Sequence, residues 1–383
     1  AAPGAEGAAT AAADKPCAAP SDAPGVSDDK IVVGNISSIS GPVPGLGATS
    51  LAGVQAYAAY RNSMGGVCGR QIEVKGADDG MDNGRYRANA EEMNGQVLGL
   101  ISGITAGDAA GAEVVERNKI PVVSTPVSSQ FQAVSTVFDI NPPYADPNAT
   151  IAKYRWLYEQ GARKASLIYT AADQTRSEAE VHRPQLEAAG IQVVQNQELP
   201  LSTLSFDSPA RSLANSGADY ALIVLETTQA ASFAQSLNDI GYELKFEEYL
   251  IVYGTPFIEM AGPAAEGATN WIRSLPNEEP GTNPEQDAYQ TWMAQAAPGV
   301  SPDTFSADSW AAGKAFFDSL DALPGPITRE ALVAQLRSVG EYDAGGLIGP
   351  IQLGQKLNNG CFLGMKVEGG KWTRLAPSSG FMC

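Results

Sequence analysis

The alternation of two patterns limits the fold of this chain more than any other feature of its sequence. From Lys30 onward, short apolar runs rich in β-branched residues alternate with amphipathic stretches of helical spacing. Strands separated by helices predict parallel sheets with right-handed crossovers, because a helix must return the chain to the start of the next parallel strand. At 383 residues the chain also exceeds the usual size of one domain. We therefore predict an α/β protein with two doubly wound lobes.

The pattern runs twice and then changes. It predicts strands first over 31–36, 71–75, 97–102 and 121–124, and helices over 50–62, 83–94 and 109–118. Beyond a proline-rich interruption it predicts strands over 165–169, 191–195, 220–225 and 248–252, and helices over 149–160, 178–189, 209–216 and 229–240. The last part adds helices over 285–296, 306–322 and 328–339, and strands over 348–353, 361–367 and 371–375. These late helices lack companion strands, so we expect them to cover the first sheet.

That return requires the chain to cross between the lobes more than once, which favours a hinge and a cleft. We predict lobe 1 over 29–142 plus 274–347, and lobe 2 over 143–273 plus 348–383. Residues 1–28 are rich in Ala, Pro, Gly and Ser and predict a flexible N-terminal tether. Because no charged and apolar leader stands there, we expect that any signal peptide has been removed. A tether of this kind favours lipid anchoring at the N-terminus.

The charge balance bears on partners. Asp and Glu number 43 against 25 Lys and Arg, a formal charge of −18. With no basic stripe to interrupt it, this balance repels phosphate backbones, so we predict no nucleic-acid partner. No apolar run approaches the roughly 20 residues needed to span a bilayer. We expect a soluble protein that is a monomer.

The cysteines indicate the compartment. Cys17, Cys68, Cys361 and Cys383 include no CxxC spacing, and the chain has a single histidine, so a Cys/His metal cluster is not predicted. Two disulfides, Cys17–Cys68 and Cys361–Cys383, are the simplest interpretation, with four buried free thiols as the alternative. Disulfides imply an oxidising compartment, so we expect an extracytoplasmic location.

Catalytic motifs are missing from the sequence. There is no GxSxG, HExxH or Walker A motif, and the glycines of 41–47 do not form a GxGxxG fingerprint. The only histidine, His182, falls on a helix that we predict to be exposed. We therefore predict that the chain is not an enzyme and needs no cofactor.

One acidic segment allows two interpretations. Residues 78–82 (DDGMD) resemble the start of a calcium-binding loop but lack its terminal glutamate. We interpret them as a strand-to-helix turn, with a weak calcium site as the alternative.

The loops after the predicted strands are the place to expect a ligand. In an open parallel sheet, ligands bind outside the carboxyl ends of the strands, close to helix N-termini. Hydroxyl side chains and backbone N–H groups dominate these loops, which cover 37–42, 103–108, 124–128, 170–175, 226–228 and 253–255. Such groups hydrogen-bond a polar ligand without transforming it. The alternative for any one Ser or Thr is that it only caps a helix.

Several of these segments resemble a known family. They are VGNISSISGPVPGLG (33–47), GGVCGRQIEV (65–74), DDGMD (78–82), 103–112, IPVVST (120–125) and AGPAAEGA (261–268). Together and in this order they resemble type I periplasmic binding proteins, and in that group the substrate-binding components of ABC importers of the branched-chain amino-acid type. The resemblance implies two Rossmann-like lobes joined by a three-crossover hinge that closes on the ligand.

The resemblance and the loop positions together give the candidate ligand contacts. In lobe 1 they are Ser40, Leu46, Thr105, Gly107, Asp108, Pro126 and Ser128. In lobe 2 they are Gln174, Glu226, Thr227 and Tyr253. The family often has a serine where this chain has Gly107, and Asp108 disfavours an anion unless it only caps the helix. These departures argue against a standard amino acid as the ligand.

The sequence thus predicts an extracytoplasmic substrate-binding protein that delivers a solute to an ABC permease. The expected ligand is a small polar organic solute, such as an amino acid, an amino-acid-like compound or a small organic acid, held in the cleft between the lobes. The alternative is a domain that senses a ligand and reports it to a membrane receptor. An amidase or other hydrolase is the third hypothesis, for which the sequence supplies no nucleophile–base pair.

Overall fold

The computed structural model describes residues 15–41, 47–140, 151–171, 173–358 and 360–383. The chain divides into two compact units. Unit 1 consists of Ala1–Pro143 with Glu279–Asn358, and unit 2 of Tyr144–Glu278 with Asn359–Cys383. The chain therefore passes from one unit to the other three times, the number of crossovers that the resemblance implies.

Strands and helices alternate through most of both units, as the sequence pattern predicts. The described strands are β1 (Lys30–Ser37), β2 (Gln71–Asp78), β3 (Leu100–Ile101), β4 (Val122–Ser124), β5 (Val137–Asp139), β6 (Lys164–Thr170), β7 (Gln192–Leu199), β8 (Tyr220–Val224), β9 (Phe246–Tyr249), β10 (Ala268–Ile272), β11 (Glu341–Tyr342), β12 (Ile351–Gln352), β13 (Leu357–Asn358), β14 (Leu363–Glu368) and β15 (Lys371–Ala376). The described α-helices are α1 (Ala48–Ser63), α2 (Asn83–Asn94), α3 (Ala112–Arg117), α4 (Ser129–Gln132), α5 (Ala152–Glu159), α6 (Asp173–Ala188), α7 (Asp207–Ser216), α8 (Thr227–Asp239), α9 (Thr255–Ala261), α10 (Pro284–Ala296), α11 (Thr304–Asp321) and α12 (Arg329–Ser338).

Unit 1 is built on a five-stranded sheet in the order β2-β1-β3-β4-β5. Every pair in it is parallel. Neighbouring residues of β4, Val122 and Val123, are both buried although they point to opposite faces. Both faces of the sheet are therefore covered, which is the usual condition of a parallel sheet.

The late helices return to unit 1, which confirms the expectation that they cover the first sheet. Gly53 of α1 lies so close to α11 that a Cβ atom there would be 2.3 Å from the carbonyl oxygen of Ser306. One turn further along α1, the ring of Tyr57 meets the indole of Trp310 edge to face, with 4.9 Å between the ring centroids. The small residue permits the close approach of the two helices, and the aromatic pair fills the space beside it.

The last passage between the units lies at 358/359 instead of the predicted 347/348. Residues 348–358 belong to unit 1, to which Gly354 and Lys356 are bonded. The N–H group of Gly354 donates to the carbonyl of Val339 at 2.9 Å. Nearby, the ammonium group of Lys356 donates to the carbonyl of Val134 at 2.5 Å.

Residues 15–28 differ from the flexible tether that we predicted for 1–28, and residues 1–14 lie outside the described residues. From Lys15 onward the chain is packed on unit 1, and Cys17 is fully buried. The guanidinium group of Arg70 holds this segment by donating to the carbonyls of Cys17 at 3.1 Å, Ala19 at 3.0 Å and Ser27 at 2.6 Å. Satisfying backbone carbonyls in this way fixes a stretch that has few apolar side chains of its own.

Unit 2 is built on a seven-stranded sheet in the order β15-β14-β10-β9-β8-β6-β7. The strands from β6 to β10 pair in parallel, whereas β14 and β15 add an antiparallel edge. The whole of β8 is buried. This continuous apolar run is typical of a strand covered on both faces.

The core of unit 2 contains a polar network, and it corrects our prediction for His182. Lys153 and Glu248 form a buried ion pair at 2.7 Å, and the hydroxyl of Tyr220 donates to the second carboxylate oxygen at 2.7 Å. His182 is only 5% exposed, so its predicted position on an exposed surface is wrong. Its Nδ1 atom lies 2.6 Å from the hydroxyl of Tyr154. Burial lowers the pKa of His182 well below its ordinary value, so the imidazole is neutral.

Both predicted disulfides are present. Cys17 is bonded to Cys68 in unit 1, and Cys361 is bonded to Cys383 in unit 2. The alternative of four free thiols is therefore wrong.

Candidate functional site

The candidate site of unit 1 lies where its parallel strands end. Because the strands run in the same direction, the loops that follow them lie along one edge of the sheet. We call residues 37–41, 78–82, 102–108 and 124–128 the carboxyl edge of unit 1.

Asp78 joins the loops after β1 and β2. Its carboxylate accepts hydrogen bonds from the backbone N–H groups of Ile39 at 2.9 Å, Ser40 at 3.1 Å and Gly80 at 2.9 Å, and from the hydroxyl of Ser40. The bond from the Ser40 hydroxyl is the main reason that the pKa of Asp78 lies far below its usual range. The carboxylate is therefore ionised, and Ser40 is held in place by it.

Asp79 joins the loops after β1, β2 and β3. This fully buried carboxylate accepts hydrogen bonds from the hydroxyls of Ser38 and Thr105 and from the N–H group of Met81. The oxygen of Thr105 in turn accepts a bond of 2.8 Å from the N–H group of Gly107. Two predicted ligand contacts, Thr105 and Gly107, thus have partners inside the protein.

Asp108 joins the loops after β3 and β4. It is 3% exposed, and its carboxylate accepts hydrogen bonds from the N–H groups of Val127 at 2.7 Å and Ser128 at 3.2 Å. Burial raises the pKa of Asp108, and these bonds oppose that rise. The hydroxyl of Ser128 accepts a bond of 3.1 Å from the N–H group of Phe131 and so caps α4. Asp108 therefore braces two loops against each other.

The carboxyl edge brings together Ser40, Thr105, Gly107, Asp108, Pro126 and Ser128. Leu46 lies outside the described residues. The prediction placed these residues on neighbouring loops, and the structure adds that most of their polar groups bond to one another. Contact with a ligand stays a prediction for each of them.

Two hydroxyls of this edge have no hydrogen-bond partner among the described residues. They belong to Ser124, which is 2% exposed, and Thr125, which is 6% exposed. A buried hydroxyl without a partner has a free-energy cost, so such groups are unusual and call for a bonding partner. The sequence placed both residues in a candidate loop but could not separate them from Ser128, because the hydrogen bonds that distinguish them depend on the fold.

The candidate contacts of unit 2 also have partners. Glu226 caps α8 by accepting bonds from the N–H groups of Thr228 at 2.9 Å and Gln229 at 2.7 Å, and Thr227 is the first residue of that helix. The hydroxyl of Tyr253 donates to Glu278.

Gln174 belongs to the first turn of α6, and its side chain lies outside the described residues. The contacts predicted for Gln174, Glu226, Thr227 and Tyr253 with a ligand therefore stay predictions.

The acidic segment 78–82 is the strand-to-helix turn of our first interpretation. Asp82 caps α2 by accepting a hydrogen bond of 2.7 Å from the N–H group of Arg85. Within the described ranges, one group of three possible metal ligands lies close together: Cys17, Cys68 and Asp321. Its two sulfur atoms are bonded to each other, so it is not a metal site.

Two wound α/β units, with hydroxyl and N–H groups at the ends of parallel strands, are typical of proteins that bind small solutes. Residues 30–371 match the sequence model of the periplasmic binding protein family, and the chain belongs to that family. The resemblance stated above is thereby confirmed.

The curated relatives carry names of the same kind. The Leu/Ile/Val-binding protein homolog 7 of Brucella abortus is 26% identical over 227 residues, which cover 56% of this chain and 56% of that protein. The homolog from Brucella melitensis shows the same identity and coverage. The matched region therefore spans about half the length of these relatives.

Solved structures share the fold over nearly the whole chain. A fatty acid ABC transporter substrate-binding protein from Thermomonospora curvata has a TM-score of 0.79 at 20% identity, covering 94% of each chain. A putative branched-chain amino acid ABC transporter protein from Rhodospirillum rubrum has a TM-score of 0.70 at 20% identity, covering 90% of this chain and 100% of that one. The names of these proteins are those of substrate-binding proteins and transporter components, not of enzymes, and the fold is confirmed as that of type I periplasmic binding proteins.

Proposed function

We propose that this chain is the substrate-binding component of an ABC uptake transporter and that it binds a small polar organic solute. Membership of the periplasmic binding protein family supports binding as the activity. The observation that carries the proposal is the carboxyl edge of unit 1, where loops after four parallel strands are fixed to one another by buried hydrogen bonds. A preorganised polar surface of this kind suits recognition of a solute.

The position of His182 argues against hydrolysis. This is the only histidine of the chain, and it lies in the core of unit 2 with Nδ1 next to the hydroxyl of Tyr154. A general base has to reach the proton that it removes, within about 3 Å or through one water molecule. An imidazole with this burial and this partner does not serve the loops at which we expect the ligand.

Location and partners follow from the family. Its members act outside the cytoplasm, and we extend this location to the present chain. Among the residues that the structure covers, no helix has both the length and the apolar character required to cross a membrane. An ABC permease as partner, a lipid anchor and a monomeric state belong to the proposal.

Thermal unfolding tests the proposal. The protein is unfolded and refolded to remove bound ligand and is then heated with amino acids, amides, polyamines, polyols and aromatic acids in turn. A bound solute should raise the melting temperature, and above Kd the rise should grow with the logarithm of the solute concentration. The same solute should be recovered unchanged after incubation, since the proposal excludes turnover. Chemical conversion of the solute, or the lack of any shift across the panel, would contradict it.

A further inference from the structure

The carboxyl edge of unit 1 carries its own anions at the positions where an anionic ligand would bind. Backbone N–H groups at strand ends and helix N-termini are the usual donors to a carboxylate or phosphate ligand. Here Asp78 accepts from the N–H groups of Ile39 and Ser40, and Asp108 accepts from those of Val127 and Ser128. These donors are therefore already bonded to carboxylates of the chain.

The same arrangement recurs in unit 2. After β8, the carboxylate of Glu226 accepts from the N–H groups of Thr228 and Gln229, which belong to the first turn of α8. An anion that used this helix N-terminus would have to displace a side chain that is covalently part of the protein. The pattern thus holds in both units, at loops that the sequence predicts as ligand loops.

The charges of the carboxyl edge also disfavour an anionic ligand. Residues 37–41, 78–82, 102–108 and 124–128 include Asp78, Asp79, Asp82 and Asp108 but no lysine and no arginine. Arg85, in the first turn of α2, has its guanidinium group beside Gly80. That side chain is exposed to solvent, where water and salt screen its charge. A carboxylate ligand at this edge would meet like charges in a partly buried setting, where screening is weaker.

The groups that remain for a ligand are neutral. Ser124 and Thr125 are more than nine-tenths buried, and their hydroxyls have no partner among the described residues. A hydroxyl accepts as readily as it donates, and the aspartates along the same edge only accept. The two unpartnered hydroxyls can therefore accept from a ligand that brings donors of its own.

We propose that the ligand is a solute without a carboxylate, neutral or cationic, which is recognised through its own N–H or O–H donors. This inference rests on the proposed function and narrows it. It departs from the α-amino acids and fatty acids that the names of the relatives and structural neighbours mention, since both of those classes carry a carboxylate.

Matched pairs of solutes test the inference. Ligand-free protein is titrated by calorimetry with putrescine and succinate, with leucinamide and leucine, and with benzamide and benzoate. The proposal expects the amine or amide of at least one pair to bind about tenfold or more tightly than its carboxylate counterpart, a difference of about 1.4 kcal/mol. Tighter binding of the carboxylate member would overturn the inference and leave the proposed function standing. No binding by any of the six would contradict the proposed function, and the inference with it.

A charge-neutral variant gives an independent test. Asp108→Asn keeps an oxygen that accepts from the N–H groups of Val127 and Ser128 but removes the charge. In each pair, the Kd of the carboxylate divided by the Kd of its amine or amide counterpart should therefore fall about tenfold. Glu330→Gln, which removes an exposed carboxylate in the first turn of α12, is the matched control and should leave that ratio unchanged. Circular dichroism of both variants checks that they are folded. An unchanged ratio in Asp108→Asn, or the same change in both variants, would count against the proposal.

Discussion

Removing the carboxylate of Asp108 should destabilise unit 1 by disconnecting the loops that follow β3 and β4. In Asp108→Ala, the N–H groups of Val127 and Ser128 lose an acceptor at 2.7 and 3.2 Å. A hydrogen bond to a charged acceptor contributes about 1.5–3 kcal/mol, so the two bonds together contribute about 3–6 kcal/mol. The raised pKa of Asp108 shows that burial of the carboxylate offsets part of this contribution. We expect a net loss of about 3 kcal/mol in the free energy of unfolding.

The assay is urea unfolding followed by circular dichroism, with Asp108→Asn and Glu330→Ala beside the alanine variant. Asparagine keeps an acceptor oxygen and should lose about 1 kcal/mol, and the exposed Glu330 should contribute no more than about 0.5 kcal/mol. If Asp108→Ala were no less stable than Glu330→Ala, the brace between the two loops would be refuted.

Three further predictions concern stability. Burial raises the pKa of the partly buried Glu247 to about 7 from 4.5, so its ionisation in the folded protein is unfavourable. The free energy of unfolding should therefore fall by at most about 3 kcal/mol as the pH rises from about 4.5 to 7. Urea titrations at several pH values should show that this part of the pH dependence is absent in Glu247→Gln. Gly53→Ala should lower the free energy of unfolding in urea by about 2–3 kcal/mol, because its Cβ would lie 2.3 Å from a backbone oxygen of α11. The control Gln55→Ala, on the exposed side of α1, should leave the free energy of unfolding nearly unchanged. The Cys17–Cys68 bond closes a loop with a sequence separation of 51, and its reduction should lower the free energy of unfolding by about 4 kcal/mol. A Cys17→Ser variant as stable as the parent protein would contradict this prediction.

Most of the fold is readable from local pattern. The helix predicted over 83–94 has those bounds in the structure, because Asp82 caps its start and its buried residues repeat at helical spacing. In the two large sheets, the strands that the sequence did not reveal are β5 and β10, which are short and lack a distinctive run: Val137–Asp139 has three residues, and Ala268–Ile272 includes two polar ones. The two-residue strands β11 and β13 were not predicted either. They are defined by pairing with neighbouring strands, which no local window contains.

His182 lies on the buried face of α6, and the spacing of its apolar neighbours in the sequence indicates this face. Ala179, His182 and Leu186 are all buried and lie three and four residues apart. That spacing marks one face of a helix.

The sequence predicts which loops form the candidate site but not which of their polar groups are bonded to one another. Parallel strands predict an edge where loops meet, and this prediction names the loops that carry Ser40, Thr105 and Ser128. Which polar groups are already bonded inside the protein depends on distances across loops that are distant in sequence. Asp79 and Thr105 are an example, since they form their bond across 26 positions of the chain.

Hydrogen–deuterium exchange with a bound solute tests the central claim most directly, namely that the carboxyl edge of unit 1 binds the ligand. The solute that gives the largest rise in melting temperature is added, and exchange is followed by mass spectrometry of peptides. Slower exchange should appear in peptides that cover 37–41, 102–108 and 124–128, because a ligand there restricts the opening of these loops. Protection confined to peptides outside the carboxyl edge, with these three segments unchanged, would contradict the account.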